Sequence, residues 1–218
     1  MTRSLQRTVL AVSFGLVFSS GCIPEAGAIP VVVANSFGAG NTYLTTVGWG
    51  VEGTASAAGY RGQAEWFVPG TSGTLSTIQL AMFRSGGSGR SNFYITQDNG
   101  GIPGTILESY LNVLSPGGLL TLNSLAQPLL QSGLEYWICA EPADGTTVSG
   151  WYENNQGHAN GFAFERSEWG WSAIGSPAPP SGVFRVTVNS VPEQTSSALL
   201  LLLATGCGWI IRRRWCWN

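Results

Sequence analysis

The strongest constraint on this chain is an apolar alternation of period two, repeatedly cut by glycine and proline. Ile78, Leu80 and Met82 alternate with Gln79, Ala81 and Phe83. Phe93 and Ile95 alternate with Asn92, Tyr94 and Thr96, and Tyr136 and Ile138 with Trp137 and Cys139. Phe184, Val186 and Val188 alternate with Val183, Arg185 and Thr187. Successive side chains of a strand point to opposite faces, so this pattern specifies half-buried β-strands. Further strands are expected near Tyr43 to Trp49, Ala64 to Val68, Ile106 to Val113, Leu119 to Leu122, Gly161 to Phe164 and Trp171 to Ile174. Turn signals separate them: Pro69-Gly70, Gly86-Gly87, Asp98-Asn99-Gly100-Gly101, Pro116-Gly117-Gly118 and Asp144-Gly145. No segment keeps a helical period. Many short strands at this spacing predict an all-β fold, an antiparallel β-sandwich of jelly-roll type, over residues 29–189.

Composition agrees with an exported β-protein. Charged residues make up only 10% of the 218, and lysine is absent. A helical surface would carry many more Lys and Glu. Arg3, Arg7, Arg212, Arg213 and Arg214 account for half of the ten arginines, which leaves the middle of the chain acidic on balance. No basic patch of the kind that neutralises phosphates is visible, so nucleic acid is not an expected partner. Of four cysteines only Cys139 lies in the body. A lone thiol makes no internal disulfide, and in a strand-like run it reads as a small buried hydrophobe.

The two ends are targeting segments. In residues 1–28, Arg3 and Arg7 form a positive n-region and Val9 to Phe18 an apolar core too short for a permanent span. Ala26 and Ala28 are the small residues a signal peptidase requires, so cleavage is expected after Ala28. Lipidation at Cys22 is the alternative, but Ser19 stands where a lipobox has an aliphatic residue. Residues 190–218 have three parts. Val191-Pro192-Glu193-Gln194 is a short polar motif, residues 196–211 form an uncharged leucine-rich run, and Arg212-Arg213-Arg214 closes it. The run is a little shorter than the roughly 20 residues of a standard span. Three consecutive arginines after it argue for a transmembrane helix with a cytoplasmic stop and against a buried core helix.

These three parts together resemble a PEP-CTERM sorting signal, the substrate of exosortase in bacteria that make extracellular polysaccharide. That family's motif is Val-Pro-Glu-Pro, so Gln194 departs from it. The resemblance implies that the helix parks the motif beside an exosortase-type membrane protease. Cutting near Val191 to Glu193 would then deliver the body to the cell surface or extracellular matrix. Pro192 keeps Val191 out of a helix and the motif extended. A sortase motif does not fit Val191 to Thr195, and a GPI signal has no basic stop.

The body carries a second resemblance. Asn41 to Trp49, Ala64-x-x-Phe67-Val68-Pro69, Gly73-x-Leu75-x-x-Ile78-x-Leu80-Ala81, Asp98-Asn99-Gly100-Gly101-x-Pro103-Gly104 and Tyr136-Trp137 are similar to a choice-of-anchor domain, R type. The resemblance implies surface location and transfers no catalytic residue.

Candidate chemistry is sparse. His158, the one histidine, sits in the polar run Asn154 to Gly161 with no second ligand at zinc spacing. A serine triad through it would need Asp98 or Asp144, and no Gly-x-Ser-x-Gly elbow supports it. Glu108, Glu135, Glu141, Glu153, Glu165 and Glu168 could supply a glycosidase pair only if two shared one concave face. Asp98 is the candidate calcium ligand, but Asp98 to Gly101 is also what a hairpin turn requires. Trp151, Tyr152, Trp169 and Trp171 could stack on sugar rings of an exopolysaccharide, with Asn154, Asn155 and Gln156 bonding hydroxyls; equally, they could fill the core. The expectation is therefore a non-catalytic surface or matrix protein, with a carbohydrate-binding module as the alternative and an exported glycoside hydrolase as the third reading.

Overall fold

The computed structural model describes residues 28–159, 161–166, 170–174 and 179–190. Ala26, the motif at 191–193, the run 196–211, the arginines 212–214, Glu168 and Trp169 lie outside the described residues. Among the described residues no helix is long and apolar enough to cross a membrane.

Among the described residues, thirteen antiparallel strands make two sheets. The first sheet contains β1 (Ile29–Asn35), β2 (Gly48–Glu52), β4 (Gly73–Gly86), β7 (Gly118–Asn123), β8 (Leu129–Leu130), β10 (Val148–Tyr152) and β13 (Phe184–Ser190). The second orders β12 (Gly170–Ala173), β11 (Phe162–Arg166), β3 (Gly62–Phe67), β9 (Tyr136–Pro142), β5 (Arg90–Asp98) and β6 (Pro103–Leu114). The all-β expectation holds, and two antiparallel sheets are what a β-sandwich requires.

The long strand β4 organises the first sheet. Ile78 pairs with Val186 of β13 on one edge and Leu122 of β7 on the other. Four residues on, Met82 pairs with Trp151 of β10 and Gly118 of β7. β13 and β10 therefore follow each other along the same edge of β4, and the Val183 N–H donates to the Tyr152 carbonyl where they meet.

The alternation read from the sequence selects the core. Leu75, Leu80, Met82, Phe184, Val186 and Val188 from the first sheet pack against Phe67, Phe93, Ile95, Tyr136 and Ile138 from the second. Each such side chain, fully buried, contributes about 1.5–3 kcal/mol. Strand ends shift by one to three residues at β3, β6, β7, β11 and β12, and the largest difference is at β2. The segment expected as a strand from Tyr43 becomes a strand only at Gly48, after a 3-10 turn at Ala39–Asn41 with Asn41 at φ 63°. β1, β8 and β10 are not foretold by alternation: β1 is a continuous apolar run, β8 has only two residues, and Gly150 interrupts β10.

Trp151 requires a correction. It is 1% exposed, and its indole N–H donates to the Val183 carbonyl at 2.8 Å. It fills the core beside Gly182 and offers no face to a sugar.

Candidate functional site

Inward residues of the second sheet are accounted for by the core, so the alternate residues lie on its outer face. Directly paired residues of adjacent strands share a face, and the register therefore sorts them into rows. The first row runs Asn92, Glu141, Gly62, Glu165, Trp171 across β5, β9, β3, β11 and β12. The second runs Tyr94, Cys139, Ala64, Ala163, Ala173. The third runs Thr96, Trp137, Trp66, with Gly161 beside Trp66.

The middle row is built of small residues. Ala64, Cys139 and Ala163 form a buried floor, and the half-buried rings of Trp66, Tyr94 and Trp171 pack over it. Trp66 lies against the Gly161 backbone, where a β-carbon would overlap the indole nitrogen. Trp137 is fixed by donating its indole N–H to Asp98 Oδ1 at 2.8 Å. The result is a sheet face with aromatic rings on both sides of a smooth apolar strip.

The first row brings two carboxylates together. Gly62 sits between them: a β-carbon there would touch Glu141 Cγ and Glu165 Cβ, each at 3.3 Å. The Tyr60 hydroxyl donates to Glu165 Oε2 at 3.0 Å. Burial, and then the neighbouring Glu165 carboxylate, push the Glu141 carboxyl up to about 7, against an opposing hydrogen bond from Tyr60. Burial first, then Glu141 and Glu165, also raise the Tyr60 hydroxyl. Burial and Glu141 hold the Cys139 thiol well above its ordinary value, so it is protonated and no nucleophile.

Of the expected stacking residues, only Trp171 reaches this face among those described. Tyr152 lies on the outer face of the first sheet, 5.4 Å from the Tyr43 ring and 5.0 Å from Phe83. The expected role of Asn154 also needs correcting. Its amide donates to the Ser181 and His158 carbonyls, each at 2.8 Å, and its oxygen accepts the Gln156 and His158 N–H groups. It holds its own loop in shape, while Asn155, Gln156 and His158 remain exposed.

Asp98 is occupied by the hairpin turn. Its carboxylate accepts the N–H groups of Gly100 and Gly101 at 3.0 Å as well as the Trp137 indole, and both glycines have positive φ. Among the described residues no group of three or more His, Cys, Asp or Glu is placed to hold a metal ion. Glu108 is buried and caps the Leu125 and Ala126 N–H groups. Glu65 is wholly buried in the interior, where it accepts the Gly182 N–H at 2.6 Å and desolvation raises its carboxyl well above the usual range.

Trp66, Tyr94, Tyr60 and the Glu141–Glu165 pairing were not foreseen. The available signal was the alternation of small with aromatic residues in Ala64-x-Trp66 and Trp137-x-Cys139.

No family model matches the chain, and no curated protein does. Among solved structures, the cysteine protease and lectin-like domains of Cwp84, a surface layer associated protein of Clostridium difficile, match at 13% identity and a TM-score of 0.41. The match covers 60% of this chain and spans about a third, 32%, of the other. A likeness that loose transfers no function.

Proposed function

We propose that this is an exported surface or matrix protein whose jelly-roll-like sandwich holds a polysaccharide along the outer face of the second sheet. The observation that carries the reading is the strip of Ala64, Cys139 and Ala163 under Trp66, Tyr94 and Trp171. Sugar rings present apolar C–H faces that stack on aromatic rings, and their hydroxyls suit carboxylate acceptors such as Glu141 and Glu165. The targeting ends supply the location. In this proposal the signal peptide is removed after Ala28, the helix 196–211 holds the precursor in the inner membrane, and an exosortase-type protease cuts near Val191 to Glu193. Choice-of-anchor and PEP-CTERM membership belong to the same proposal.

A glycan array probed with the full chain tests the binding. Signal on exopolysaccharide fragments that disappears in Trp171→Ala supports it; a blank array, or signal indifferent to Trp171→Ala and Tyr94→Ala, overturns it. Mass spectrometry of the mature protein from its host tests the sorting. An intact peptide from Arg212 to Asn218 as the dominant surface form rules out processing.

One observation favours a second reading, an exported glycoside hydrolase. The Glu141 carboxyl, raised to about 7, is partly protonated near neutrality and faces Glu165 across Gly62, so the pair offers an acid and a base on one face. Release of reducing ends from a bound polysaccharide, abolished by Glu141→Gln, would establish this reading; tight binding without release would eliminate it.

A further inference from the structure

A separate cleft opens on the opposite side of β11, between the two sheets at the edge where β2 meets β3 and β11. It has a volume of about 190 Å³ and is lined by Trp49, Arg61, Gln63, Phe162, Phe164 and Arg166. Three features distinguish it from an accidental gap between sheets.

The first is its pair of guanidinium groups. The other body arginines are engaged: Arg84 donates to the Gly87 carbonyl, Arg90 to the Asn112 carbonyl, and Arg185 to Asn35, Gln79 and Asn41. The guanidinium groups of Arg61 and Arg166 make no hydrogen bond or ion pair to any described residue. In a chain without lysine, two cations at one cleft with no hydrogen-bond or ion-pair partner among the described residues are a marked concentration of charge. Glu65, the carboxylate nearest in sequence to Arg61, is wholly buried on the Gly182 N–H, and Glu52, whose backbone bridges to Arg61, accepts the Ser56 hydroxyl and lies over Gly50 on the outer face of the first sheet.

The second feature is Gln63. It is 4% exposed, its amide N–H donates to the Gly50 carbonyl at 2.6 Å, and its Oε1 has no partner. A buried amide oxygen without a donor costs about 1–3 kcal/mol. A ligand hydroxyl would supply the missing donor. The third feature is the aromatic wall. The Trp49 and Phe162 rings lie 4.8 Å apart with a 41° tilt, Trp49 is pinned by its indole bond to the Pro180 carbonyl, and Arg166 stacks 5.3 Å above Phe164.

We propose that this cleft binds a carboxylated sugar unit, a hexuronate of an acidic polysaccharide. The carboxylate pairs with Arg61 and Arg166, a ring hydroxyl donates to Gln63 Oε1, and the apolar face of the sugar stacks on the aromatic wall. A bare phosphate has no apolar face for Trp49 and Phe162. A neutral hexose leaves both guanidiniums without an anion. The site is distinct from the outer-face strip and stands whether or not that strip binds sugar.

Isothermal titration of the full chain with a galacturonate trimer and a galactose trimer tests this. The galacturonate trimer should bind at least tenfold more tightly, because charge-assisted hydrogen bonds carry the difference. Arg166→Gln should erase most of that preference, and it replaces an exposed side chain, so the fold should survive. Leu125→Ala, an exposed residue that belongs to neither sugar site, should leave both binding and preference unchanged. Equal binding of the two trimers, no binding of galacturonate, or a preference that persists in the Arg61→Gln Arg166→Gln double variant would overturn the assignment. Loss of the preference on Trp171→Ala would place the acidic sugar on the outer face and overturn it as well.

Discussion

Replacing Glu141 by glutamine should stabilise the protein above neutral pH and leave it unchanged in mild acid. The Glu141 carboxyl is raised from 4.5 to about 7, chiefly by burial and then by Glu165. Between those two values the folded state binds more protons than the unfolded chain, so stability falls as pH rises through that window. Above about 7 the full penalty applies. A rise from 4.5 to about 7 corresponds to about 3 kcal/mol, at roughly 1.4 kcal/mol for each pH unit. Glu141 keeps part of its surface in water, and screening there reduces the figure to about 1–2 kcal/mol. Glutamine keeps the shape and the hydrogen-bonding capacity towards Tyr60 but carries no charge. At pH 8 the variant should therefore gain about 1–2 kcal/mol, or about 3–6 °C in melting temperature. At pH 4.5 the two proteins should coincide. Urea titrations of both proteins at both pH values provide the assay, and taking the variant minus the parent cancels the titration of Glu65 and Glu153. A variant that gains equally at pH 4.5 and 8, or that loses stability at pH 8, would refute the burial argument.

Three further outcomes follow from packing. Trp151→Ala should cost about 3–5 kcal/mol in denaturant unfolding, because it empties the core and leaves the Val183 carbonyl without its donor. Asp98→Ala should cost about 1–3 kcal/mol, equally in calcium-free and calcium-containing buffer, because the carboxylate serves the turn and the Trp137 indole. Gly161→Ala should displace the Trp66 ring and cost about 1–3 kcal/mol, with a shift in tryptophan emission that Gly59→Ala, in open space, does not give.

The sequence alternation was enough to name most core strands, because period two maps directly onto inside and outside, but not β1 or β10, which supply Val33 and Trp151. It also contained a check on the stacking residues. Trp151 and Tyr152 are neighbours in one strand, so they must point to opposite faces, and no single ligand can meet both. The outer-face rows were not legible. They depend on register between β3, β9 and β11, and a shift of one residue would turn each row to the other face. Glu141 and Glu165 carry no local mark of their pairing. Arg61 and Arg166 lie on strands far apart in sequence, and only the closing of the sandwich edge brings them to one cleft.

The pairing of β1 with β13 has a mechanical consequence. Ile29 lies opposite Ser190, and the Ser190 hydroxyl donates to the Ile29 carbonyl at 3.2 Å. β13 is hydrogen-bonded along its length to β1 on one side and β4 on the other. A tether attached beyond Ser190 would thus pull on an inner strand and not on a sheet edge. Force along that strand would load two ladders of hydrogen bonds in shear at once, where an edge strand would unzip one bond at a time. A body held by such a strand can bear drag from its surroundings without unravelling from its point of attachment.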